Sequence, residues 1–431
     1  MDGGVAGNRN TERGLPCLEL MAGYKFFGYI VTMRRPFDLN LRHLRSLSAV
    51  VAQGSFSRAA AAAGLSQPAL TQGLSKLERQ LEVALFDRRP DGVSPTPAGT
   101  VLAERADRAF GHLAAATRPT RARGFARPEK LMTATQLDAF LHFSDAQSFV
   151  GAAGTSGASQ PAVHRAVRDL EQICGVALVE RRGRGAVLTP AGRKMARGVR
   201  LAAREITAGI MEARGDGTDV ERIAIGAMPL SRALLLPRAL AAWLRNCPET
   251  VIDVVEGSWR ELIEPLLDGV IDLTIGALRD EAPAGVDQKP LFTDRLAIFG
   301  RAGHPLAGRA LTLEQLGGQQ WVVGAAGTPL RTHWEALFAG GELPAVLVEC
   351  GSVMVIRGLL TQSDLLTLLS PDQVALEVEA GKLVRIGPEL ADTLRTIGIT
   401  TRANWRPTAR QLRLIELIHS TAMETRLPEI R

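Results

Sequence analysis

Long apolar runs, metal-ligand spacings and catalytic signatures are all missing from this chain. No stretch approaches 18 uninterrupted apolar residues, so no membrane-spanning helix is expected. Four cysteines occur, Cys17, Cys174, Cys247 and Cys350, with no CxxC pair among them. A reduced cytoplasmic compartment is the simplest reading, each cysteine serving as a small buried hydrophobe. The seven histidines are dispersed, and no pair has metal-ligand spacing. There is no GxSxG elbow, no P-loop and no GxGxxG. The chain is therefore not expected to be an enzyme, and neither a metal nor a cofactor is expected. Low-complexity segments are also missing. With 46% hydrophobic and 22% charged residues, the composition is that of a folded protein, and 431 residues exceed one core. The N-terminal "LPCLELMAGYKFFGYIVTM" is broken by Glu19 and Lys25 and matches a signal peptide poorly. Residues 1–36 are expected to be a disordered extension, with Met33 a candidate natural start.

Charge is unevenly spread. Residues 1–214 hold 30 Lys+Arg against 18 Asp+Glu, whereas residues 215–431 hold 21 against 27. The first half should seek polyanions and the second should not.

The chain also repeats itself. At an offset of 93 residues, 21 of the 45 positions from Ser55 to Gly99 are identical without a gap. Ser66-Gln67-Pro68-Ala69 returns as Ser159-Gln160-Pro161-Ala162, and Thr96-Pro97-Ala98-Gly99 as Thr189-Pro190-Ala191-Gly192. Two copies of this length are two domains, not a solenoid. In the first copy, Leu41, Leu44, Leu47 and Val50 give one apolar helix face. "SRAAAAAG" is a short helix of high propensity, and Gly64-Leu65 a tight turn. Ser66 caps the next helix, with Pro68 harmless in its first turn. Leu70, Leu74 and Leu77 point inward; Gln67, Thr71, Gln72 and Lys76 point outward. This is a helix-turn-helix with a polar reading face. "LFDRRPDGVSP" then reads as a two-stranded wing, placing Arg88 and Arg89 against phosphate or minor groove. From Pro97 to about Ala116, Leu102, Ala106, Ala109 and Leu113 form a stripe suited to a partner helix, and dimerisation is favoured over packing onto its own module.

With "GSFSRAAAAAGLSQPALTQGLSKLE", "LFDRR" and "TPAG" on the page, residues 38–110 resemble the winged helix-turn-helix and linker helix of LysR-type transcriptional regulators. Ser94-Pro95 departs from that family, which places an apolar residue there. In the second copy, Gly151 and Gly154 should weaken the short helix by about 1 kcal/mol each. Its reading helix still presents Gln160, His164, Arg165 and Arg168, and its wing Arg181, Arg182 and Arg184. Three readings stay open: both copies bind DNA, the first alone does, or the second alone does. "RPTRARGFARPEK" (118–130) is a basic linker, and Met195, Val199, Ala202, Ile206 and Ile210 form a second linker-helix stripe.

In the acidic half, strands at 222–228, around "TVIDVVEG" and "VIDLTIGAL", and later segments alternate with helices, including one from about Ser231. The alternation predicts a parallel α/β sheet in two lobes. This half resembles the LysR-type effector domain, on residues Gly226, Pro237, Pro248, Gly257 and Gly269-Val270-Ile271-Asp272-Leu273, with "GHPLAG" (303–308) after the crossover strand. The resemblance implies a fold similar to periplasmic solute-binding proteins, with a small molecule between the lobes. Candidate effector contacts are Ser231, Thr328, Ser352 and Arg331, the three hydroxyls at helix N-termini that suit a carboxylate. Each is equally well a plain N-cap. Met354 and Trp259 line either a pocket or the core.

The expected fold is thus mixed: two α-helical winged helix-turn-helix modules with linker helices, then a two-lobed α/β effector domain. The expected boundaries are an extension at 1–36, a first module at 37–96, linker helix and basic linker at 97–132, a second module at 133–189, a second linker helix at 190–217 and an effector domain at 218–431. Its first lobe is expected at about 218–293 and 403–431, its second at about 294–402. The expected partners are double-stranded DNA, a small-molecule effector and a second or further copies of the chain, as homodimer or homotetramer. A rival reading is a solute-binding or interaction protein whose second module, or both, serves dimerisation instead of reading DNA.

Overall fold

The first unit of the chain is one series of elements built twice in tandem. The computed structural model describes residues 35–89, 92–118, 125–183, 185–215 and 220–424, in two units that divide between Asp219 and Val220. The series begins with α1 (Leu41–Gln53), α2 (Phe56–Ala63) and α3 (Gln67–Leu81). A hairpin of β1 (Phe86–Arg89) and β2 (Gly92–Pro95) leads into α4 (Pro97–Thr117). The second copy runs α5 (Ala134–Ala146), α6 (Phe149–Ser156), α7 (Gln160–Cys174), β3 (Val179–Arg182), β4 (Gly185–Leu188) and α8 (Pro190–Arg214). The predicted extension at 1–36 lies outside the described residues except for Arg35 and Pro36.

The repeated residues explain why both copies fold alike. Ser66 and Ser159 accept the backbone N–H groups of Ala69 and Ala162, capping α3 and α7. The turns before them need left-handed backbone, which Gly64 (φ 65°) and Gly157 (φ 74°) supply. At each wing exit, a threonine hydroxyl donates to the chain two residues before the first strand, Thr96 to the Ala84 carbonyl and Thr189 to the Ala177 carbonyl, both at 2.8 Å. The same hydroxyls accept Gly99 N and Gly192 N at 3.0 Å. A Cβ on either glycine would lie 2.0 Å from a carbonyl oxygen, of Leu85 or Leu178. The Thr-Pro-Ala-Gly repeat is therefore a steric requirement. The glycines of α6 do not prevent an eight-residue helix, the same length as α2.

The stripes of α4 and α8 meet each other. Leu102, Ala106, Ala109 and Leu113 on α4 and Met195, Val199, Ala202, Ile206 and Ile210 on α8 are buried in one core shared by both modules. The partner expected from another subunit is thus the chain's own second linker helix. Small residues allow the approach. A Cβ on Gly209 would sit 2.8 Å from Arg105 Cβ, and a Cβ on Gly198 would sit 2.5 Å from Ala116 Cβ. Adding 93 turns 105 into 198 and 116 into 209, so the two contacts exchange when the copies exchange. That reciprocity is the mark of an isologous, twofold interface. The entry segments obey it too. Pro36–Asp38 packs on α5 and α8 of the second copy, and Pro128–Lys130 packs on α4 of the first. Arg45 of α1 holds the latter by donating to the carbonyls of Glu129 and Lys130.

One ionic cluster breaks the symmetry. Arg105, 1% exposed, donates to Glu205 at 2.8 Å and through Nε to Glu212 at 3.0 Å. Arg108 Nε meets Glu205 at 2.9 Å, and His112 lies 3.8 Å away. Burial alone would raise the Glu205 carboxyl, but His112, Arg105 and Arg108 hold it down to about 2.

The second unit has two lobes. The first is a five-stranded sheet ordered β6-β5-β7-β14-β8, from β5 (Arg222–Ala227), β6 (Val251–Glu256), β7 (Leu273–Ala277), β8 (Val286–Arg295) and β14 (Leu394–Arg402). Helices α9 (Leu235–Asn246), α10 (Trp259–Leu267) and α15 (Ala409–Glu424) belong to it. The second lobe pairs β9 (Ala297–Arg301) with β12 (Thr367–Leu369) and β13 (Leu383–Arg385), and β10 (Gln320–Val323) with β11 (Ala345–Glu349). Its helices are α11 (Leu313–Gly317), α12 (Pro329–Leu337), α13 (Val353–Leu360) and α14 (Ala375–Glu379).

Three expectations change here. The sheet is parallel only through β6-β5-β7; β14 runs antiparallel to both β7 and β8. Leu394–Arg402, expected in the second lobe, therefore belongs to the first lobe's sheet, because it returns across the interlobe crossing to bond with β7 and β8. The strand β8 went unpredicted. It carries Pro290 and alternates polar residues along the sheet edge, where a missing N–H is tolerated. At the crossing, the buried Asp294 carboxylate accepts from Ser370 at 2.6 Å and from Arg395 at 2.7 Å.

Two measurements test the packing. Gly154 in α6 faces open space, so Gly154→Ala should stabilise by about 1 kcal/mol, whereas Gly198→Ala should destabilise by about 1–3 kcal/mol. Thermal melts of both variants should thus move in opposite directions. Glu205 contributes stability that is full above its ordinary 4.5 and lost as pH falls toward 2. The unfolding free energy of Glu205→Gln should trail the wild type by about 3 kcal/mol near neutrality, and the gap should narrow from about pH 4.5 downward and close only near pH 2.

Candidate nucleic-acid interface

The outward face of α3 is built by what its inward face does. Leu70, Leu74, Leu77 and Leu81 are buried, which leaves Ser66, Gln67, Pro68, Gln72 and Lys76 exposed and Thr71 half-buried. The second copy repeats the rule. Val163, Ala166, Val167 and Leu170 are buried, and Gln160, His164, Arg165 and Arg168 are exposed. A capped helix start with free N–H groups and polar side chains on open surface is the geometry that a major groove admits. His164, Arg165 and Arg168 of α7 are exposed, while the pairing of the copies runs mainly through α4 and α8.

The wing is fixed to the reading helix by one carboxylate in each copy. Glu78 accepts the N–H groups of Leu85 (2.9 Å) and Phe86 (3.3 Å), and Glu171 those of Leu178 (2.8 Å) and Val179 (3.0 Å). These two glutamates were not singled out from the sequence. The signal was present in the Leu77-Glu78 and Leu170-Glu171 identity, an acid retained on an otherwise divergent helix. Arg181 and Arg182 are exposed on β3. Arg88 and Arg89 lie on β1, but their side chains, like Arg184, lie outside the described residues.

The two reading faces differ in detail. In the first copy the Ser57 hydroxyl donates to Gln67 Oε1 at 2.7 Å; its counterpart Val150 has no donor to offer Gln160. Phe56 packs edge-on against Phe86, ring centres 5.5 Å apart. Val179 replaces Phe86 in the second copy, and Phe149 instead contacts Phe143 at 4.5 Å and His164 at 4.9 Å. The smaller valine leaves a groove of about 560 Å³ between α7 and its wing, lined by Phe149, His164, Arg168, Glu171, Val179 and Arg181.

In the second unit, β10 and β11 are parallel, so the helices that follow them begin at one sheet edge. Thr328 and Ser352 thus lie at the same end of that strand pair, each capping its helix by accepting Arg331 N or Val355 N. Ser231 belongs to the other lobe and caps no helix, since α9 starts only at Leu235. It is fully buried, and its hydroxyl is committed to the carbonyls of Met228 (2.9 Å) and Ile275 (3.1 Å). Arg331 is engaged by Glu335 (2.7 Å) and Glu349 (2.8 Å) and stacks on Trp334. Those carboxylates neutralise the cation that was expected to meet an acid. Trp259 packs in a small cluster with Met228, Leu262 and Ile271, while Met354 is 81% exposed at the start of α13.

Cys174 is buried at the end of α7, where burial, with Glu171 nearby, pushes its thiol up to about 12. Cys247 and Cys350 are free and half-buried, which departs from the expectation of buried hydrophobes; Cys17 lies outside the described residues.

Comparison with known proteins agrees in both units. The family described as "Bacterial regulatory helix-turn-helix protein, lysR family" matches residues 41–100 and again 134–193, and "LysR substrate binding domain" matches 216–422. The HTH-type transcriptional regulator GalR of Pseudomonas putida is 31% identical over 390 residues, 89% of this chain and 98% of its own. An alignment of that length takes in both modules. The regulator PcaQ of Agrobacterium fabrum is 28% identical over 296 residues, covering 94% of itself but 67% of this chain. Among solved structures, ArgP from Mycobacterium tuberculosis has a TM-score of 0.56 at 17% identity, covering 96% of its chain and 67% of this one. A cysteine-to-aspartate variant of full-length OxyR from Pseudomonas aeruginosa has a TM-score of 0.54 at 23% identity, covering 94% and 68%. Both likenesses show the fold. PcaQ, ArgP and OxyR leave about a third of this chain without a counterpart.

Removing either wing anchor tests this geometry. Glu171→Ala leaves two buried N–H groups without their acceptor and should cost about 1–3 kcal/mol, with faster amide exchange confined to Leu178 and Val179. Glu78→Ala should do the same at Leu85 and Phe86.

Proposed function

This chain belongs to the LysR-type family of bacterial transcriptional regulators, and we propose that both of its helix-turn-helix modules read DNA while its second unit senses a small molecule. One observation carries the reading. Two capped helices present polar, exposed faces on a single core whose contacts exchange in twofold fashion. In such a pair, α3 and α7 enter successive major grooves, as the two halves of a dimeric helix-turn-helix protein do. The contacts proposed for the first are Ser66, Gln67, Pro68, Thr71, Gln72 and Lys76, with Arg88 and Arg89 from the wing. Those proposed for the second are Gln160, His164, Arg165 and Arg168, with Arg181, Arg182 and Arg184. The basic charge of the first half favours the phosphate backbone, whichever bases are read.

In the second unit, an effector between the lobes would meet Thr328 and Ser352 at the shared edge of β10 and β11. Two helix N-termini side by side suit an anionic group such as a carboxylate. Ligand would shift the equilibrium between lobe arrangements by its differential affinity for them. We place the protein in the cytoplasm, acting as a regulator and not as an enzyme. A dimer of chains would carry four modules.

The test is a binding titration on DNA fragments chosen by genomic selection. Gln67→Ala with Thr71→Ala, and separately Gln160→Ala with Arg165→Ala, should each weaken binding and each shorten a different part of the footprint. Wild-type affinity should fall by about 0.9 log unit per log unit of salt for every phosphate neutralised. Full binding by the second double variant would leave α7 a structural copy. Affinity that ignores salt would remove the DNA reading.

A further inference from the structure

The two reading helices are one scaffold carrying two different inscriptions. Their buried positions are alike: Leu70 matches Val163, Leu74 matches Val167, Leu77 matches Leu170. Their outward positions are not. Thr71, Gln72, Ser75 and Lys76 of α3 correspond to His164, Arg165, Arg168 and Asp169 of α7. The first two turns of both helices share only the opening Gln-Pro-Ala. The change is chemical in kind: a neutral amide becomes a guanidinium, and an ammonium becomes a carboxylate.

A regulator made of two identical subunits reads an inverted repeat, because the same side chains meet both half-sites. Here the pairing is twofold in geometry but internal to one chain, and the paired helices differ. From this we propose that each chain reads two unequal half-sites, so that a single chain sits on its pair of half-sites in one direction. The inference rests on the DNA reading above and adds what that DNA must look like. Gln72 and Arg165 occupy equivalent positions. An amide pairs with the N6 and N7 edge of adenine, and a guanidinium with O6 and N7 of guanine. The structure therefore assigns adenine to the half-site under α3 and guanine to the matching position under α7. Lys76 and Asp169 reinforce the difference, since the acid accepts from cytosine N4 or repels phosphate where the lysine attracts it.

The experiment is selection from a random duplex library by the full chain, done with three proteins. Wild type should enrich a site whose halves differ at the position that Gln72 and Arg165 share. Placing adenine in both halves, or guanine in both, should weaken binding about 5- to 100-fold. In the second protein, His164→Thr, Arg165→Gln, Arg168→Ser and Asp169→Lys make the two faces alike; it should enrich an inverted repeat. The third carries those four changes together with Thr71→His, Gln72→Arg, Ser75→Arg and Lys76→Asp. It should enrich the same duplex as wild type, because exchanging the halves of an inverted site returns that duplex read from its other strand, but bound in the opposite direction, as DNA cleavage from a chelate tethered to one module would show. All the substitutions lie on the outward face, and circular dichroism melts would confirm that each variant is folded. Identical halves under one chain, enriched by wild type, would overturn the inference while leaving the DNA reading intact. Unequal halves retained by the symmetrised protein would overturn it too, since the asymmetry would then not come from these residues. No sequence enriched by any of the three would overturn both the inference and the reading beneath it.

Discussion

The buried guanidinium of Arg105 between Glu205 and Glu212 is the interaction on which the architecture of the first unit depends. It joins α4 to α8 beside the hydrophobic core that both modules share, with Arg105 and Glu205 buried and Glu212 partly open to solvent. Removing one member of such a cluster leaves an uncompensated buried charge, a larger cost than the pair's net worth. Around it, Gly198 and Gly209 let the helices close to backbone distance. Pairing, and with it the placement of both reading helices, follows from a few residues on two helix faces.

Much of this was legible in the sequence. The repeat at 93 residues gave both modules, and the turn glycines, capping serines and Thr-Pro-Ala-Gly exits marked each element because each answers a local backbone need. The stripes on α4 and α8 were equally plain. What they pack against was not, because an apolar stripe at helical spacing records that a partner exists and not which chain supplies it. Reciprocity between 105 and 209 and between 116 and 198 becomes visible only when distances are known. Strand β8 was hidden for a different reason. Its polar alternation and Pro290 suit a sheet edge, where hydrophobic periodicity is weakest.

The candidate sites divide along the same line. Residues of α3 and α7 were readable because burial of one helix face dictates exposure of the other. Effector candidates rested on hydroxyls near strand ends, a signal shared with ordinary capping. Thr328 and Ser352 lie at one end of the strand pair because β10 and β11 are parallel, a fact of topology. Ser231 is sealed by two carbonyls, and Arg331 is claimed by two glutamates, neither of which spacing reveals.

The ionic cluster also decides which helix pairs with which. Under the repeat, Arg105 corresponds to Gly198, Glu205 to His112 and Glu212 to Pro119. Two first-copy helices from different chains would bring two arginines together with histidine where an acid belongs. Two second-copy helices would bury four glutamates against glycines. Both arrangements desolvate charge without compensation, whereas the mixed pair satisfies all three groups. Within one chain the mixed pair also costs less association entropy than pairing between chains. The sequence thus favours closure of each chain on itself over exchange of linker helices between chains. Surfaces elsewhere, those of the second unit included, are left to join one chain to the next. A duplicated gene that merely preserved its ancestral interface would pair either way. The loss of symmetry at these three positions makes one chain a complete pair of modules.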